Sequence, residues 1–445
     1  MSALAAKTAR RRFLLISAMR WFPGGLVLPI LVLLMVARGI DLVTIGSLFA
    51  GFSALVALFE LPTGGLADVV GRRPVFLGSA ALNAGALAML ALARDAWQFG
   101  LALGVFGIGR ALSSGPLHAW YVDAAQAADP NADLQPALSR EGLVSSVSLG
   151  SGVLIGGLLP GAAARLYPGL PTEGDGLLLT LTIPVWTASA LLALVTIALA
   201  LLMTEDRTSA PAVGGCATLR RVFSDVPFTM TRSVRFITKN RPVWVLLLSV
   251  FTTGLVISAT EVLAPTFFAE VMGDESRAAV VYGALLTAIF FASGFGSAAA
   301  PAVSRRARGP MRGAAVAALL GALAYGALGA AHNVAVASTM FIVVYLALGA
   351  IDPLRQEQLH LRTRANERAS MLSVESMAQM LGGVVGSLTV PRLANVYGFG
   401  LGWLACAAVG AVCAALVLLV PDGRPTSTEA AGDPIQLSTN PDHLS

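Results

Sequence analysis

The chain has 445 residues, 56% of them hydrophobic and only 12% charged, with a formal net charge of +5. Soluble domains carry about 25% charged residues, so most of this chain cannot face water; at about 20 residues per crossing it has room for roughly 14 spans and no soluble domain beside them. The basic residues sit in short loops beside apolar runs, which excludes a nucleic-acid face, and the two lysines, Lys7 and Lys239, stand in no GxxxxGK(S/T) loop, which excludes a P-loop nucleotide site.

From the N-terminus, Lys7, Arg10, Arg11 and Arg12 precede an apolar run that Arg20 interrupts. The run is too long for a secretory leader and reads as an uncleaved first span. Spanning runs lie at about 13–37, 43–63, 74–93, 99–121, 138–160 and 177–203. Six more follow at about 243–265, 279–303, 313–331, 334–351, 371–391 and 399–420. The expected fold is an all-α polytopic membrane protein of 12 transmembrane helices. Residues 1–203 form an N-terminal six-helix bundle, 204–242 a linker loop, 243–420 a C-terminal six-helix bundle and 421–445 a disordered tail rich in Pro, Ser and Thr.

The distribution of charge checks the count. With an even number of spans both termini share a face, and most of the 30 basic residues then fall on that face. The positive-inside rule makes it cytoplasmic and the protein a multi-pass component of the plasma (inner) membrane. Shifting the sequence by 237 lays Ile45 onward over Tyr282 onward and pairs span two with span eight. Two six-helix halves related by an axis along the membrane normal produce that pairing.

Ionisable residues inside spans are costly unless they are paired or face a watery cavity, so each is a candidate functional group. Arg20 lies about 10 Å into span one and is expected to pair with Glu60 near the inner end of span two. Arg110 sits near mid-membrane in span four, where insertion costs about 2.5–3.5 kcal/mol, so it should face the interior and have a partner. Glu261 has no basic neighbour in sequence and is the candidate for binding a coupled proton, with a glutamate at an aqueous mouth as the plainer alternative. For His118 a packing role is the plainer reading, and titration near neutral pH the alternative. Asp123, Asp352 and Glu375 fall near inner span ends, where gating or topology accounts for them. Cys216 stands in a polar loop, and Cys406 and Cys413 in one apolar run, so neither a disulfide framework nor a metal site is expected. No constellation of catalytic residues at one depth is present, which argues against a membrane-embedded enzyme, and no cofactor is expected.

The most specific string is Glu60 to Pro74, ELPTGGLADVVGRRP, between spans two and three. It resembles the loop signature of the major facilitator superfamily, G-x-L-A-D-x-x-G-R-R, through Gly64, Leu66, Ala67, Asp68, Gly71, Arg72 and Arg73. Val69 departs from the pattern, since the family commonly has a basic residue there. Span four, Gly107 to Asp123, is similar to family members that carry a membrane-embedded Arg before small residues. The resemblance implies a conformational latch at Gly64, Asp68, Gly71, Arg72 and Arg73, made in one state of a transport cycle and broken in the other. It also implies that Arg110 couples proton movement to solute movement, a permanently paired structural Arg being the alternative.

The Glu-x-Pro-Thr-Gly segment is similar to efflux-type members, and Gly150, Gly152, Gly156, Gly157, Pro160 and Gly161 share the composition, though not the order, of an exporter pattern in span five. The expected function is therefore proton-coupled export of a small organic solute by alternating access, in a bilayer and as a monomer. Uptake of a metabolite is the alternative, and a sensor that no longer transports is a further one.

Overall fold

A computed structural model describes residues 6–113, 116–128, 135–171, 174, 176, 178–203, 240–273, 275–362 and 368–422, and among them every regular element is an α-helix. The N-terminal half comprises α1 (Ala6–Val27), α2 (Leu31–Ala37), α3 (Leu42–Val70), α4 (Arg72–Leu92), α5 (Ala96–Ser113), α6 (Pro116–Ala128), α7 (Gln135–Leu166) and α8 (Thr182–Leu202). The C-terminal half comprises α9 (Arg241–Met272), α10 (Glu275–Ala307), α11 (Pro310–Gly329), α12 (Val334–His360), α13 (Arg368–Tyr397) and α14 (Phe399–Leu418). Taking α1 with α2 as one broken rod, and α5 with α6 as one crossing, gives the 12 expected crossings. Ten stretches among the described residues are long and apolar enough to span a bilayer; α5 with α6, and α13 with its buried Glu375, complete the set. The expected linker, 204–242, lies almost wholly outside the described residues, as do all but the first two residues of the expected tail.

One span differs from a single continuous rod: span one breaks at residues 28–30. The helices also outrun their apolar cores. α9 has 32 residues, about 48 Å against about 30 Å of hydrocarbon, so its ends stand in the interfaces. α3 and α4 are joined through Gly71 alone, at φ 104°, a backbone conformation that a residue with a Cβ adopts only under strain.

One face of the bundle gathers the basic loops. Arg12 donates to the Leu202 carbonyl at 2.9 Å, Arg73 to the Ala200 carbonyl at 2.7 Å, and Arg362 to the Pro421 carbonyl. The start of α11 joins them, the Met311 N–H donating to Asp422 at 2.9 Å. The helix ends that carry the two termini therefore lie on this face.

The two halves repeat one packing plan. α1 packs on α7 as α9 packs on α13; α3 on α5 as α10 on α12; α4 on α8 as α11 on α14. The contacts between halves, α3 with α13 and α7 with α10, also exchange under that correspondence, which is the signature of a two-fold axis. Glycines form the seams: Gly25, Gly152 and Gly156 let α1 and α7 touch backbone to backbone, and Gly254, Gly382 and Gly386 do the same for α9 and α13.

Candidate functional site

A cavity of about 600 Å³ lies between the halves. Along α4 its lining runs from Phe76 to Leu90, 14 residues or about 21 Å of helix, so it penetrates most of the bilayer thickness. It closes on the face opposite the termini. There Gly46 of α3 packs on Ser387 and Pro391 of α13, Arg392 donates to Ser47 Oγ at 3.1 Å, and Gly283 of α10 meets Gly157 of α7. Thr287 of α10 adds a 3.2 Å hydrogen bond to the Gly150 carbonyl.

The apolar core follows the same asymmetry. Buried residues of both halves, such as Leu34 and Phe268, join in one cluster toward the closed face, whereas Val243, Met311, Ile351 and Val417 near the terminus-bearing face form a separate cluster within the C-terminal half. On that side Ser376 of α13 donates to Glu60 of α3 at 2.7 Å.

Four of the five residues expected in the cavity line it: Arg20, Glu60, Arg110 and Glu261. The expected Arg20–Glu60 ion pair is not formed. Arg20 instead donates to Ser113 Oγ at 2.8 Å and lies over the rings of Trp21 and Phe76, 5.1 and 5.6 Å from their centroids. Ser113 in turn donates to the backbone carbonyl of Arg110, one turn back on α5, at 2.7 Å.

Arg110 does not have the partner its membrane depth suggests. Its side chain is exposed into the cavity, and among the described residues it makes no hydrogen bond or ion pair. Glu261 is in the same condition on the opposite wall, exposed to the cavity and unpartnered among the described residues. The two groups lie within each other's electrostatic range but beyond the 4.0 Å of an ion pair. Cavity water solves the same problem as a partner, because a solvated charge avoids the desolvation cost.

Beside Glu261 stand Tyr282 of α10 and Tyr345 of α12, both lining the cavity. Phe341 packs between them, its ring centroid 6.4 Å from that of Tyr282 and 5.3 Å from that of Tyr345. Sequence reasoning missed this aromatic group, because its members are 21 or more residues from Glu261 and only the fold gathers them.

His118 lies elsewhere, toward the terminus-bearing face. Its Nε2 is 3.4 Å from an oxygen of Glu141, whose other oxygen accepts from Ser17, and its ring meets Phe13 edge to face at 5.5 Å. Glu141, 9% exposed, is thus a buried acid at the meeting of α1, α6 and α7. The corresponding region of the C-terminal half, where α9, α12 and α13 contribute, also holds buried charge: Arg355 bonds Asp352 at 2.6 Å and Thr253 of α9 at 3.0 Å, and Glu375 is buried close by.

In the loop signature, Gly64 and Asp68 fall outside the residues whose side chains are described. Arg72 pairs with Asp123 of α6 and donates to the Ala119 carbonyl, so it reaches across to span four as well as standing four residues from Asp68. Among the described residues no group of three or more His, Cys, Asp or Glu is arranged to hold a metal.

A sequence model of the Major Facilitator Superfamily matches residues 13–387. No curated protein matches the chain. Among solved structures, one described as the nucleoside transporter NupG shares 12% identity at a TM-score of 0.71, covering 93% of this chain and 98% of its own. A bacterial homologue of the human lysosomal transporter Spinster, described as inward-facing and occupied, shares 16% at 0.72, covering 92% and 96%. A bacterial homologue of the human drug peptide transporters PepT1 and PepT2 shares 13% at 0.67, covering 94% and 98%.

Proposed function

We propose, from the premise that this chain belongs to the Major Facilitator Superfamily, that it is a proton-coupled secondary transporter exporting a small organic solute by alternating access. The observation that carries this reading is the cavity itself: a deep space between two repeated halves, closed at one face by glycine contacts and lined by four charges, two of which, Arg110 and Glu261, have no partner among the described residues. The basic terminus-bearing face is the cytoplasmic one by the positive-inside rule, so this conformation faces inward, in the plasma (inner) membrane. Rocking of the halves about the cavity would part Gly283 from Gly157 and open the other side.

Glu261 is the group we assign to the coupled proton. It stands on the wall of one half, exposed to the cavity and free of a fixed partner among the described residues, so proton binding there changes the charge that closure must bury. Asp68 and Arg72, with Gly64, Gly71 and Arg73, form the latch in this reading, and Asp123 extends it to α6. Export is favoured by the efflux-like Glu60 to Gly64 segment. Uptake is the second reading, favoured by the solved structures it resembles, which are described as transporters of nucleosides and peptides.

The test is counterflow and pH-gradient-driven flux in proteoliposomes, with Glu261→Gln beside the native protein. The variant should retain exchange and lose the response to the gradient. Unaltered gradient dependence would remove Glu261 from the coupling, and failure of the native protein to move any of a panel of antibiotics, nucleosides, peptides and organic acids would remove the transport reading.

A further inference from the structure

We infer that the solute is an amphipathic zwitterion, its anionic end held by Arg20 and Arg110 on the N-terminal wall and its ammonium end by Glu261 with Tyr282 and Tyr345 on the C-terminal wall. The inference rests on the transport reading above and names the chemistry of the same cavity.

The charges that line the cavity are two arginines and two glutamates, so the lining is formally neutral. Glu60 already accepts from Ser376, and Arg20 is already oriented by Ser113 and two rings. What remains is one arginine and one glutamate on opposite walls, each exposed to the cavity and unpartnered among the described residues.

Alternating access passes through a state in which both faces are closed and most cavity water is expelled. A buried charge without a partner is then expensive, and neither wall side chain can escape to bulk water. A solute that is only cationic would neutralise Glu261 and leave Arg110 uncompensated. An anionic solute would do the reverse. A zwitterion matches both, and because its two ends touch different halves, its presence favours their approach.

The surroundings of each charge fit the assignment. Tyrosine faces attract ammonium groups through the ring quadrupole, and Tyr282 and Tyr345 line the cavity from the C-terminal half, within electrostatic reach of the acid. On the other wall Arg20, held by Ser113, and Arg110 both line the cavity within electrostatic reach of each other, and guanidinium groups present several N–H donors to a carboxylate or phosphate. Most of the remaining lining is Leu, Val, Ile and Phe, which takes up an apolar body between the charged ends. Two residues of extended backbone span about 7 Å, so a dipeptide with aromatic side chains is a probe of suitable reach and volume.

Four probes share one body: phenylalanyl-phenylalanine, its C-terminal amide, its N-acetyl derivative and the doubly blocked N-acetyl amide. Binding to the purified protein is measured by titration calorimetry. We expect the zwitterion to bind about tenfold tighter than either singly charged form, with the neutral form weakest. Glu261→Gln should bring the zwitterion level with the anion, and Arg110→Gln should bring it level with the cation.

The ranking on the native protein decides the matter even where a variant fails to fold. Equal or tighter binding by a singly charged or neutral form, or no binding by any of the four at millimolar concentration, overturns the proposal. Flux is scored separately. The expected ranking without flux keeps the zwitterion site and removes transport, and flux of another solute with four equal affinities does the opposite.

Discussion

Gly283→Ala should shift the protein toward the conformation open on the face opposite its termini. A Cβ at Gly283 would lie 2.8 Å from Gly157 Cα and 3.3 Å from the Val153 carbonyl oxygen, both backbone atoms of the other half. Carbon atoms pack at about 3.5–4.0 Å, so the methyl group overlaps its neighbour by close to 1 Å and no side-chain rotation relieves it. Overpacking of this kind costs about 1–3 kcal/mol. The overlap exists only while α7 and α10 are in contact, so its cost falls on the conformation closed at that face and is absent from the other. The ratio of the two states should therefore change by about 5- to 150-fold.

Gly156→Ala is the matched control, because its Cβ would strike Leu26, 2.7 Å from that residue's Cα, inside one half. That contact persists in both conformations. The control should lower Tm and leave the conformational ratio unchanged. Spin labels on the exposed residues Leu166 and Val396, one in each half near the closed face, would report the opening by double electron–electron resonance. A distance distribution identical in Gly283→Ala and the parent, with Gly156→Ala lowering Tm as expected, would refute the claim that this glycine contact is the closed gate.

Two further predictions concern the loops. Asp41 caps α3, accepting from the Val43 and Thr44 N–H groups at 2.9 and 3.0 Å, and the Thr44 hydroxyl bond foremost holds its carboxyl below the usual carboxylate range. A depressed folded value means that the stabilisation is present at neutral pH and is lost as pH falls through it; Asp41→Ala should cost about 1 kcal/mol near pH 7 and progressively less under acid, read as Tm against pH. Arg72 and Asp123, whose side chains are 21% and 61% exposed, should show a coupling of at most about 1 kcal/mol in a double-mutant cycle on thermal stability. Coupling well above that would mean the pair is buried in the membrane-embedded protein, as a latch shielded by lipid headgroups would be.

Hydropathy and charge made the helices legible, and the family signature made the fold legible, because both are local in sequence. The break in span one was not. Apolar composition continues on both sides of residues 28–30, and hydropathy responds to composition rather than to hydrogen-bond continuity. Within the cavity the positions of Arg20, Glu60, Arg110 and Glu261 could be anticipated from the cost of burying charge, which acts residue by residue. Their partners could not be anticipated. Arg20 meets Ser113, 93 positions away, and Glu60 meets Ser376, 316 positions away, through tertiary contacts that leave no periodic trace. Glu141 was passed over for a related reason: standing beside Arg140 at a span end, it looks like an interfacial charge, and only the packing of α1 and α6 reveals it as buried.

The seams explain how one sequence can hold each half rigid and leave the pair free to move. Lipid is as apolar as leucine, so helices in a bilayer gain little from burying apolar area and associate through close packing instead. Within the halves the glycine seams are long: α1 on α7 uses Gly25, Gly152 and Gly156, and α9 on α13 uses Gly254, Gly382 and Gly386. Between the halves the tightest glycine approaches are few, Gly46 on α13 and Gly283 on Gly157, and both lie toward one face. Toward the other face, α3 and α13 are linked by a hydrogen bond between Ser376 and Glu60, a link worth about 0.5–3 kcal/mol. Gates of that size can be shifted by the binding of one solute, whereas a seam of several close backbone contacts cannot. Rigid halves with weak gates follow from where the glycines stand, and they place the moving boundary at the cavity wall that carries Arg110 on one side and Glu261 on the other.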